Sequence, residues 1–217
     1  MAGKTHEIGA FWRFFASGFR TWDQTAAFFP SSRFLVNALT DHAELREART
    51  ILELGTGTGT VTRGILKQAR ADAEIYSVEI DGKLIESAST SIRDPRLRWI
   101  HGSAADLERL LPDHGCAGPV DVVVSSLGMS LLPPELRDAI SDAVLRTLAP
   151  HGIYIQYAYV HARAMTWSPE RGFSRFNIRR YLSPRFGELN RTIIVPNMPP
   201  AAVYTCREPR APLTAGA

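Results

Sequence analysis

The sequence predicts an α/β fold in which helices cover both faces of a mostly parallel, seven-stranded sheet. Strand and helix patterns alternate between Thr50 and Tyr159, and two further β-rich segments follow near the end of the chain. Parallel strands need a crossover connection, usually a helix, so this alternation favours a parallel sheet. The chain has 217 residues, 45% of them hydrophobic, which is enough for one domain with a substantial core.

The predicted strands are short segments rich in β-branched and aliphatic residues. They run over Thr50–Leu54, Glu74–Glu79, Leu97–Ile100, Val120–Ser126 and Gly152–Tyr159, and the terminal pair over Thr192–Val195 and Ala202–Cys206. The predicted helices run over Thr60–Ala71, Gly82–Ile92, Ala104–Leu111 and Pro134–Leu148. The fourth helix has the clearest limits, because Pro133 and Pro134 open it and Pro150 follows it.

The composition excludes several classes of protein. A disordered chain would contain fewer apolar residues, and the two cysteines, Cys116 and Cys206, are too few for a disulfide framework. The six histidines show neither H-x-x-x-H spacing nor pairing with cysteine, so no metal is expected. No apolar run reaches the roughly 18 residues of a membrane span, and no secretory leader is recognisable. We expect a monomer in the cytoplasm.

A glycine-rich loop, Glu53–Gly59 with the sequence ELGTGTG, joins the first predicted strand to the first predicted helix. Glycine permits positive φ and close approach of a ligand, and the N-terminus of the following helix offers free N–H groups. The next strand ends in Glu79, 20 residues beyond Gly59, where a carboxylate can accept hydrogen bonds from both ribose hydroxyls. The third glycine comes one residue too early for the G-x-G-x-x-G dinucleotide motif. The loop is therefore a predicted cofactor site of another kind.

With the acid that precedes it, this loop resembles the E/D-x-G-x-G-x-G motif of class I S-adenosylmethionine-dependent methyltransferases. Further segments between roughly residues 11 and 207 resemble, in order, the bacterial phospholipid N-methyltransferases, which are related to rRNA adenine dimethyltransferases. These segments are Phe29–Leu35, Val78–Glu79, Gly102–Leu107, Val122–Leu127, Ile155–Tyr159 and Asn197–Tyr204.

The resemblance implies the Rossmann-like class I fold, S-adenosylmethionine as cofactor and S-adenosylhomocysteine as product. Carried onto this sequence, the cofactor-binding residues are Glu53, Leu54, Gly55, Thr56, Gly57, Gly59, Glu79, Ile80, Ser103, Ala104 and Ser125. The family usually has Asp at the position of Ser103, where it contacts the adenine amino group. Ser103 can still accept one hydrogen bond there.

The activity that the resemblance implies is methylation of the amine of phosphatidylethanolamine, in up to three steps toward phosphatidylcholine. One departure from the family's usual sequence leaves the identity of the acceptor undecided. After the fourth strand the family usually reads Ser-Gly-Leu-Pro-Leu-Leu, whereas this chain reads SSLGMS over Ser125–Ser130. The missing proline loosens a loop beside the methyl donor, so another aminolipid, such as an ornithine lipid, is the alternative acceptor.

Three residues are predicted to act at the acceptor. Tyr157 and Tyr159 end the fifth strand, and strand alternation places both on one face. Their rings can stabilise the cationic charge that grows on a methylated amine. Ser125 stands where related enzymes hold the acceptor nitrogen. Ordinary core tyrosines would show the same pattern, and that alternative stays open.

The basic residues are nearly all arginine, and seven arginines lie between His161 and Arg191 against two glutamates. The planar guanidinium suits bidentate contact with phosphate or carboxylate. We expect Arg180 and Arg191, together with Asn197, to hold the lipid headgroup. A solvated surface in an arginine-rich chain is the alternative.

Residues 1–30 are predicted to form an amphipathic, membrane-contacting lid. Six of the ten phenylalanines and two of the four tryptophans precede Pro30. The aromatic side that would enter the lipid comprises Phe11, Trp12, Phe15, Phe19 and Trp22. We expect the methyltransferase domain over 31–210, a flexible tail over 211–217, and a peripheral location on the anionic inner face of the cell membrane. Packing of this helix on the domain is the alternative.

Two other functions remain open at this stage. An RNA adenine methyltransferase would use the arginines, but the segment after Ser125 has no aromatic side chain to stack on a flipped base. We therefore do not expect nucleic acid as a partner. A noncatalytic module that binds the cofactor or a membrane is supported only by Ser103 and Gly128.

Overall fold

The computed structural model describes residues 31–160, 166–168, 172–174, 176–196 and 200–212. Outside these ranges lie the predicted headgroup residue Asn197 and the predicted membrane-contacting residues Phe11, Trp12, Phe15, Phe19 and Trp22.

Seven helices and nine strands are formed by the described residues. The helices are α1 Ser31–Thr40, α2 Ala43–Glu47, α3 Thr60–Gln68, α4 Gly82–Ser91, α5 Leu107–Asp113, α6 Pro134–Thr147 and α7 Ile178–Leu182, with a 3-10 turn over Ala104–Asp106. The strands are β1 Thr50–Leu54, β2 Glu74–Glu79, β3 Leu97–His101, β4 Val120–Ser125, β5 Leu148–Tyr159, β6 Thr166–Ser168, β7 Gly172–Ser174, β8 Phe186–Ile194 and β9 Ala201–Pro209.

Seven of these strands form one sheet in the order β3-β2-β1-β4-β5-β9-β8. The pairs among β1 to β5 are parallel, whereas β9 is antiparallel to both β5 and β8. The predicted mostly parallel, seven-stranded sheet is therefore confirmed. The short antiparallel pair β6 and β7 forms a second sheet that the sequence patterns did not predict.

Alternation along the strands gives the sheet two buried faces. On one face Leu52 and Leu54 of β1 belong to the core that includes residues of α5, α6 and α7. On the other face Ile51 packs with Leu39, Leu45 and Ile65 of α1, α2 and α3. Because β1 alternates, Glu53 lies on the same face as Ile51, beneath the helix that follows the glycine loop. This places a carboxyl group inside an apolar layer.

The predicted elements differ from the structure mainly at their ends. The segment predicted as one helix from Ala104 begins as a 3-10 turn and continues as α5. The last two strands are longer than predicted, with β8 beginning at Phe186 rather than Thr192. β8 is an edge strand whose residues 187–193 are exposed or half-buried, so its first half is polar and lacks an apolar pattern.

Candidate cofactor and acceptor site

The candidate site lies where the strand order changes direction, at the carboxyl ends of β1 and β4. From β1 the sheet continues to β2 and β3, and from β4 it continues to β5 and β9. The backbone N–H of Ser126 donates to the carbonyl of Leu54 at 2.8 Å, so the segment after β4 starts beside the glycine loop. We call residues 126–133 the acceptor loop. Open α/β sheets bind their ligands at such a point.

The glycine loop has the backbone conformation that its sequence predicts. Gly55, Gly57 and Gly59 have φ of 79°, 56° and 81°, values that residues with a Cβ rarely adopt. A Cβ on Gly59 would also lie 2.4 Å from Cδ1 of Ile92, and one on Gly55 would lie 2.9 Å from Cδ2 of Leu127. The positive φ values favour glycine at all three positions, and at Gly55 and Gly59 a Cβ would also force a neighbouring side chain to shift.

Glu79 lies at the end of β2 with its carboxylate held by backbone N–H groups. Oε2 accepts from Gly57 at 3.1 Å, and Oε1 accepts from Ile80 at 2.8 Å and from Asp81 at 3.0 Å. A carboxylate has about four acceptor positions, so Oε2 retains capacity for a ribose hydroxyl. Burial raises the pKa of Glu79, while the three N–H groups oppose that shift. The glycine loop and the predicted ribose acceptor are thus joined directly.

Glu53 is fully buried beneath the glycine loop. Its Oε2 accepts from the hydroxyls of Thr62 at 2.8 Å and Ser77 at 2.5 Å, and Thr56 lies 2.5 Å from the Ser77 hydroxyl. Its Oε1 is buried and has no hydrogen-bond partner among the described residues. Burial raises the pKa of Glu53 to about 7, and the nearby charge of Glu79 acts in the same direction. An orphaned buried oxygen at this point fits a site built to receive a polar or cationic ligand.

Ser103 and Ala104 follow β3 at the same end of the sheet. The backbone N–H of Gly102 donates to the carbonyl of Glu79 at 3.0 Å, which keeps this segment beside the end of β2. The Ser103 hydroxyl accepts from the N–H of Ala105 at 3.2 Å and begins the 3-10 turn. A hydroxyl oxygen has a second lone pair, so the predicted contact with adenine remains compatible with this role.

The acceptor loop is held by Gln156, a residue that the sequence reasoning did not assign to the site. Its buried amide donates to the carbonyl of Leu127 at 2.8 Å and to that of Tyr157 at 2.6 Å. Its Oε1 accepts from the Tyr154 hydroxyl at 2.6 Å. Every polar atom of the side chain is thus engaged, and β5 fixes the position of Leu127. The only sequence signal was the place of Gln156 in the segment Ile155–Tyr159.

Tyr157 and Tyr159 share one face of β5, as predicted. Their rings contact each other edge to face, with centroids 5.3 Å apart and an angle of 84° between the planes. Tyr157 is buried and Tyr159 half-buried. Ser125 is buried in the neighbouring strand, in register with Leu54 on one side and Gln156 on the other. The structure brings these residues to one end of the sheet, and their contact with an acceptor remains a prediction.

The structure distributes the arginines of the C-terminal stretch over different roles. Arg185 is buried, donates to Asp138 at 2.8 Å and lies 3.9 Å above the ring of Tyr181, so it belongs to the core. Arg180 is exposed on α7. Arg191 is half-buried on β8, and its Nε has no partner among the described residues. The predicted headgroup role of Arg180 and Arg191 remains a prediction.

Arg137, in the first turn of α6, is a second residue that the sequence reasoning missed. It donates to the carbonyl of Leu132 at 2.8 Å, and its guanidinium lies 4.0 Å from the centre of the Phe176 ring. Burial lowers its pKa, while the nearby carboxylates of Asp138 and Glu135 oppose that shift. The Arg137 side chain thus links the end of the acceptor loop, at Leu132, to the ring of Phe176.

The part of the chain that the structure describes contains neither a metal-binding cluster nor a membrane-spanning helix. Within it, no three histidine, cysteine, aspartate or glutamate residues are grouped as a metal site. None of the described helices is both long enough and apolar enough to cross a bilayer.

Comparison with known proteins relates this chain to methyltransferases. A family model described as a methyltransferase domain matches residues 51–152. The chain is 27% identical over 198 residues to an ornithine lipid N-methyltransferase of Singulisphaera acidiphila, covering 91% of this chain and 95% of that protein.

Two solved structures have a similar fold. The 1,6-didemethyltoxoflavin-N1-methyltransferase of Burkholderia thailandensis, with bound S-adenosylhomocysteine, superposes with a TM-score of 0.71 at 15% identity, over 94% of this chain and 90% of that one. The N-methyltransferase NodS of Bradyrhizobium japonicum, in complex with S-adenosylhomocysteine, gives 0.63 at 15% identity, over 84% and 90%. From the fold, the cofactor site and these similarities we conclude that the chain is an S-adenosylmethionine-dependent methyltransferase with the class I, Rossmann-like fold.

Proposed function

We propose that this enzyme methylates the amine of a membrane aminolipid, with an ornithine lipid as the first acceptor to test and phosphatidylethanolamine as the second. The observation that carries the proposal is the similarity to an ornithine lipid N-methyltransferase over nearly the whole of both chains. The motif resemblance to phospholipid N-methyltransferases supports the second acceptor. Both acceptors present a primary amine to the same site.

The chemistry asks the protein chiefly to position the acceptor. The cofactor supplies a methyl group that is already activated by its sulfonium, so alignment of the amine is the main requirement. The glycine loop and Glu79 bind the adenosine portion in this proposal. Tyr157 and Tyr159 line the path of the amine, and their ring faces favour the charge that it gains. Gln156 holds the acceptor loop against the glycine loop.

The amine must lose a proton before it can accept a methyl group, because an ammonium has no lone pair. A carboxylate or a water molecule in hydrogen-bond reach can receive that proton, and a neutral hydroxyl can relay it by passing its own proton on to water. Ser125 and Tyr159 are the hydroxyl-bearing candidates at the carboxyl ends of β4 and β5. Arg180, Arg191 and Asn197 are proposed to bind the anionic part of the headgroup.

The membrane surface is the proposed partner, at the cytoplasmic face of the cell membrane. Its proposed contact is the aromatic segment within residues 1–30, since six of ten phenylalanines are concentrated there. RNA is the less favoured acceptor, because the acceptor loop contains no aromatic residue that could stack on a flipped base.

The test uses labelled S-adenosylmethionine and anionic vesicles that contain either an ornithine lipid or phosphatidylethanolamine. A structured RNA serves as a parallel acceptor, and Glu79→Ala serves as a variant with an impaired cofactor site. We expect label in lipid for the wild type and little for Glu79→Ala. Label in RNA alone, or in no acceptor despite measurable cofactor binding, contradicts the proposal.

A further inference from the structure

Four large apolar side chains are exposed among the described residues, and they are not scattered over the surface. Phe34 is 39% exposed, Leu131 53%, Ile193 51% and Val195 71%. Single exposed apolar residues are common and need no explanation. A set confined to one end of a domain does need one. We call these four residues the apolar rim.

Leu131, Ile193 and Val195 lie at the carboxyl end of the parallel strands. Leu131 belongs to the acceptor loop, which follows the carboxyl end of β4. Ala201 at the start of β9 pairs with both Tyr159 and Ile194, so the end of β8 is level with the end of β5. Ile193 and Val195 flank that point. All three therefore lie at the same end of the sheet as the candidate site.

Phe34 lies at this end as well, in α1, on the face of the sheet that α1, α2 and α3 cover. A Cβ on Gly64, in the middle of α3, would lie 2.6 Å from Val36 Cγ1. Arg46, beyond the end of α1, hydrogen-bonds Gln68 at the end of α3 at 3.3 Å. α1 thus runs alongside α3 in the same direction. Its first turn, with Phe34, is level with the start of α3, where the glycine loop ends.

The charged residues nearest in sequence to Phe34 and Ile193 are arginines, whereas Leu131 precedes the exposed Glu135 by four residues. The guanidinium of Arg33 lies 5.0 Å from the centre of the Phe34 ring, and Arg191 precedes Ile193 by two residues. Neither α1 nor the segment 189–206 contains aspartate or glutamate. At Phe34 and Ile193, exposed apolar side chains flanked by arginine match the chemistry of an anionic bilayer surface.

We propose that the apolar rim docks the catalytic domain on an anionic membrane, so that the open end of the candidate site faces the lipid. This inference rests on the proposed lipid acceptor and adds a contact surface that is separate from residues 1–30. It gives the lipid amine a short path to the carboxyl ends of β4 and β5, because the surrounding rim displaces the water between enzyme and bilayer.

The test compares full-length variants in vesicle flotation with neutral and anionic vesicles. Ile193→Glu, Val195→Glu and Leu131→Glu each place a negative charge in the rim. Ala117→Glu is the matched control, since Ala117 is exposed in the turn before β4, at the opposite end of the sheet. Each rim variant is expected to reduce binding to anionic vesicles by roughly tenfold, while the control binds like the wild type. Circular dichroism verifies folding.

A second readout separates this inference from the proposed function. Methylation of the same lipid in detergent micelles is expected to be unchanged in Val195→Glu, whereas methylation in vesicles slows in parallel with binding. Rim variants that float like Ala117→Glu overturn the docking surface, even where the wild type methylates micellar lipid. Rim-dependent flotation without methylation of any lipid supports the surface and overturns the proposed acceptor. Loss of RNA binding in these variants, with no vesicle binding by the wild type, also overturns the surface.

Discussion

Replacement of Glu53 by glutamine tests the electrostatic design beneath the glycine loop. Glu53 is fully buried, its Oε1 has no partner among the described residues, and burial raises its pKa from 4.5 to about 7. Glutamine has nearly the same shape and can still accept from Thr62 and Ser77, but it cannot ionise. The substitution therefore removes the titration of this site and leaves its packing in place.

The magnitude and sign follow from the pKa values. In the unfolded chain the carboxyl titrates near 4.5, so between 4.5 and 7 the folded protein holds a proton that the unfolded chain releases. The resulting stabilisation is fully present below pH 4.5 and is lost as pH rises through 7. At about 1.4 kcal/mol per pH unit, the whole change is about 3 kcal/mol. Between pH 5 and pH 8 it amounts to roughly 2 to 3 kcal/mol.

The assay is urea denaturation of wild type and Glu53→Gln, without cofactor, at several values between pH 5 and pH 8. The unfolding free energy of the variant minus that of the wild type is expected to increase by that amount as pH rises. Glu47→Gln, at an exposed position, controls for the loss of one carboxyl group. A difference that stays constant across this pH range would refute the argument that Glu53 is protonated by burial.

Three further predictions concern the site. Gly59→Ala is expected to lower the free energy of unfolding by about 2 to 4 kcal/mol, because alanine disfavours the positive φ and its Cβ would approach Ile92 too closely. The same variant is expected to bind the cofactor more weakly in calorimetry. A variant as stable as the wild type contradicts this prediction. Gln156→Leu removes one of the two hydrogen bonds to the carbonyl of Leu127 and leaves the buried Tyr154 hydroxyl without its Gln156 acceptor, so we expect a loss of about 1 to 3 kcal/mol in stability and a larger loss in kcat than in cofactor affinity. Tyr159→Ala is expected to slow methyl transfer and to leave cofactor affinity unchanged. Tyr159→Phe is expected to retain more activity than the alanine variant, because it keeps the aromatic ring. Unchanged turnover in the alanine variant would show that Tyr159 does not act at the acceptor site.

Local sequence patterns predicted most of the strands and helices correctly. Five alternating strand and helix segments were placed within a few residues, because buried parallel strands are short and strongly apolar, as Val120–Ser125 shows. The three loop glycines were also predictable from the local sequence. Their positive φ is a property of the backbone itself, and it restricts the residue type directly.

The sequence patterns did not predict the helices α1, α2 and α7, and they also missed elements that are exposed or irregular. The first half of β8 is polar because it lies at the sheet edge, so it carries no apolar run. The short pair β6 and β7 has three residues in each strand, too few for an alternation signal. The 3-10 turn at Ala104–Asp106 was included in a longer helix, because its composition resembles that of the helix that follows.

The sequence by itself determined the order of strands and helices, the conformation of the glycine loop, and the presence of an acid at the end of β2. Each of these depends on interactions between residues that are close along the chain. Only the tertiary structure showed that Gln156 holds Leu127, which is 29 residues away, that the buried Arg185 is paired with the half-exposed Asp138, and that four exposed apolar side chains share one end of the sheet. Those relations depend on strand register and helix packing, which join distant segments and leave no local pattern in the sequence.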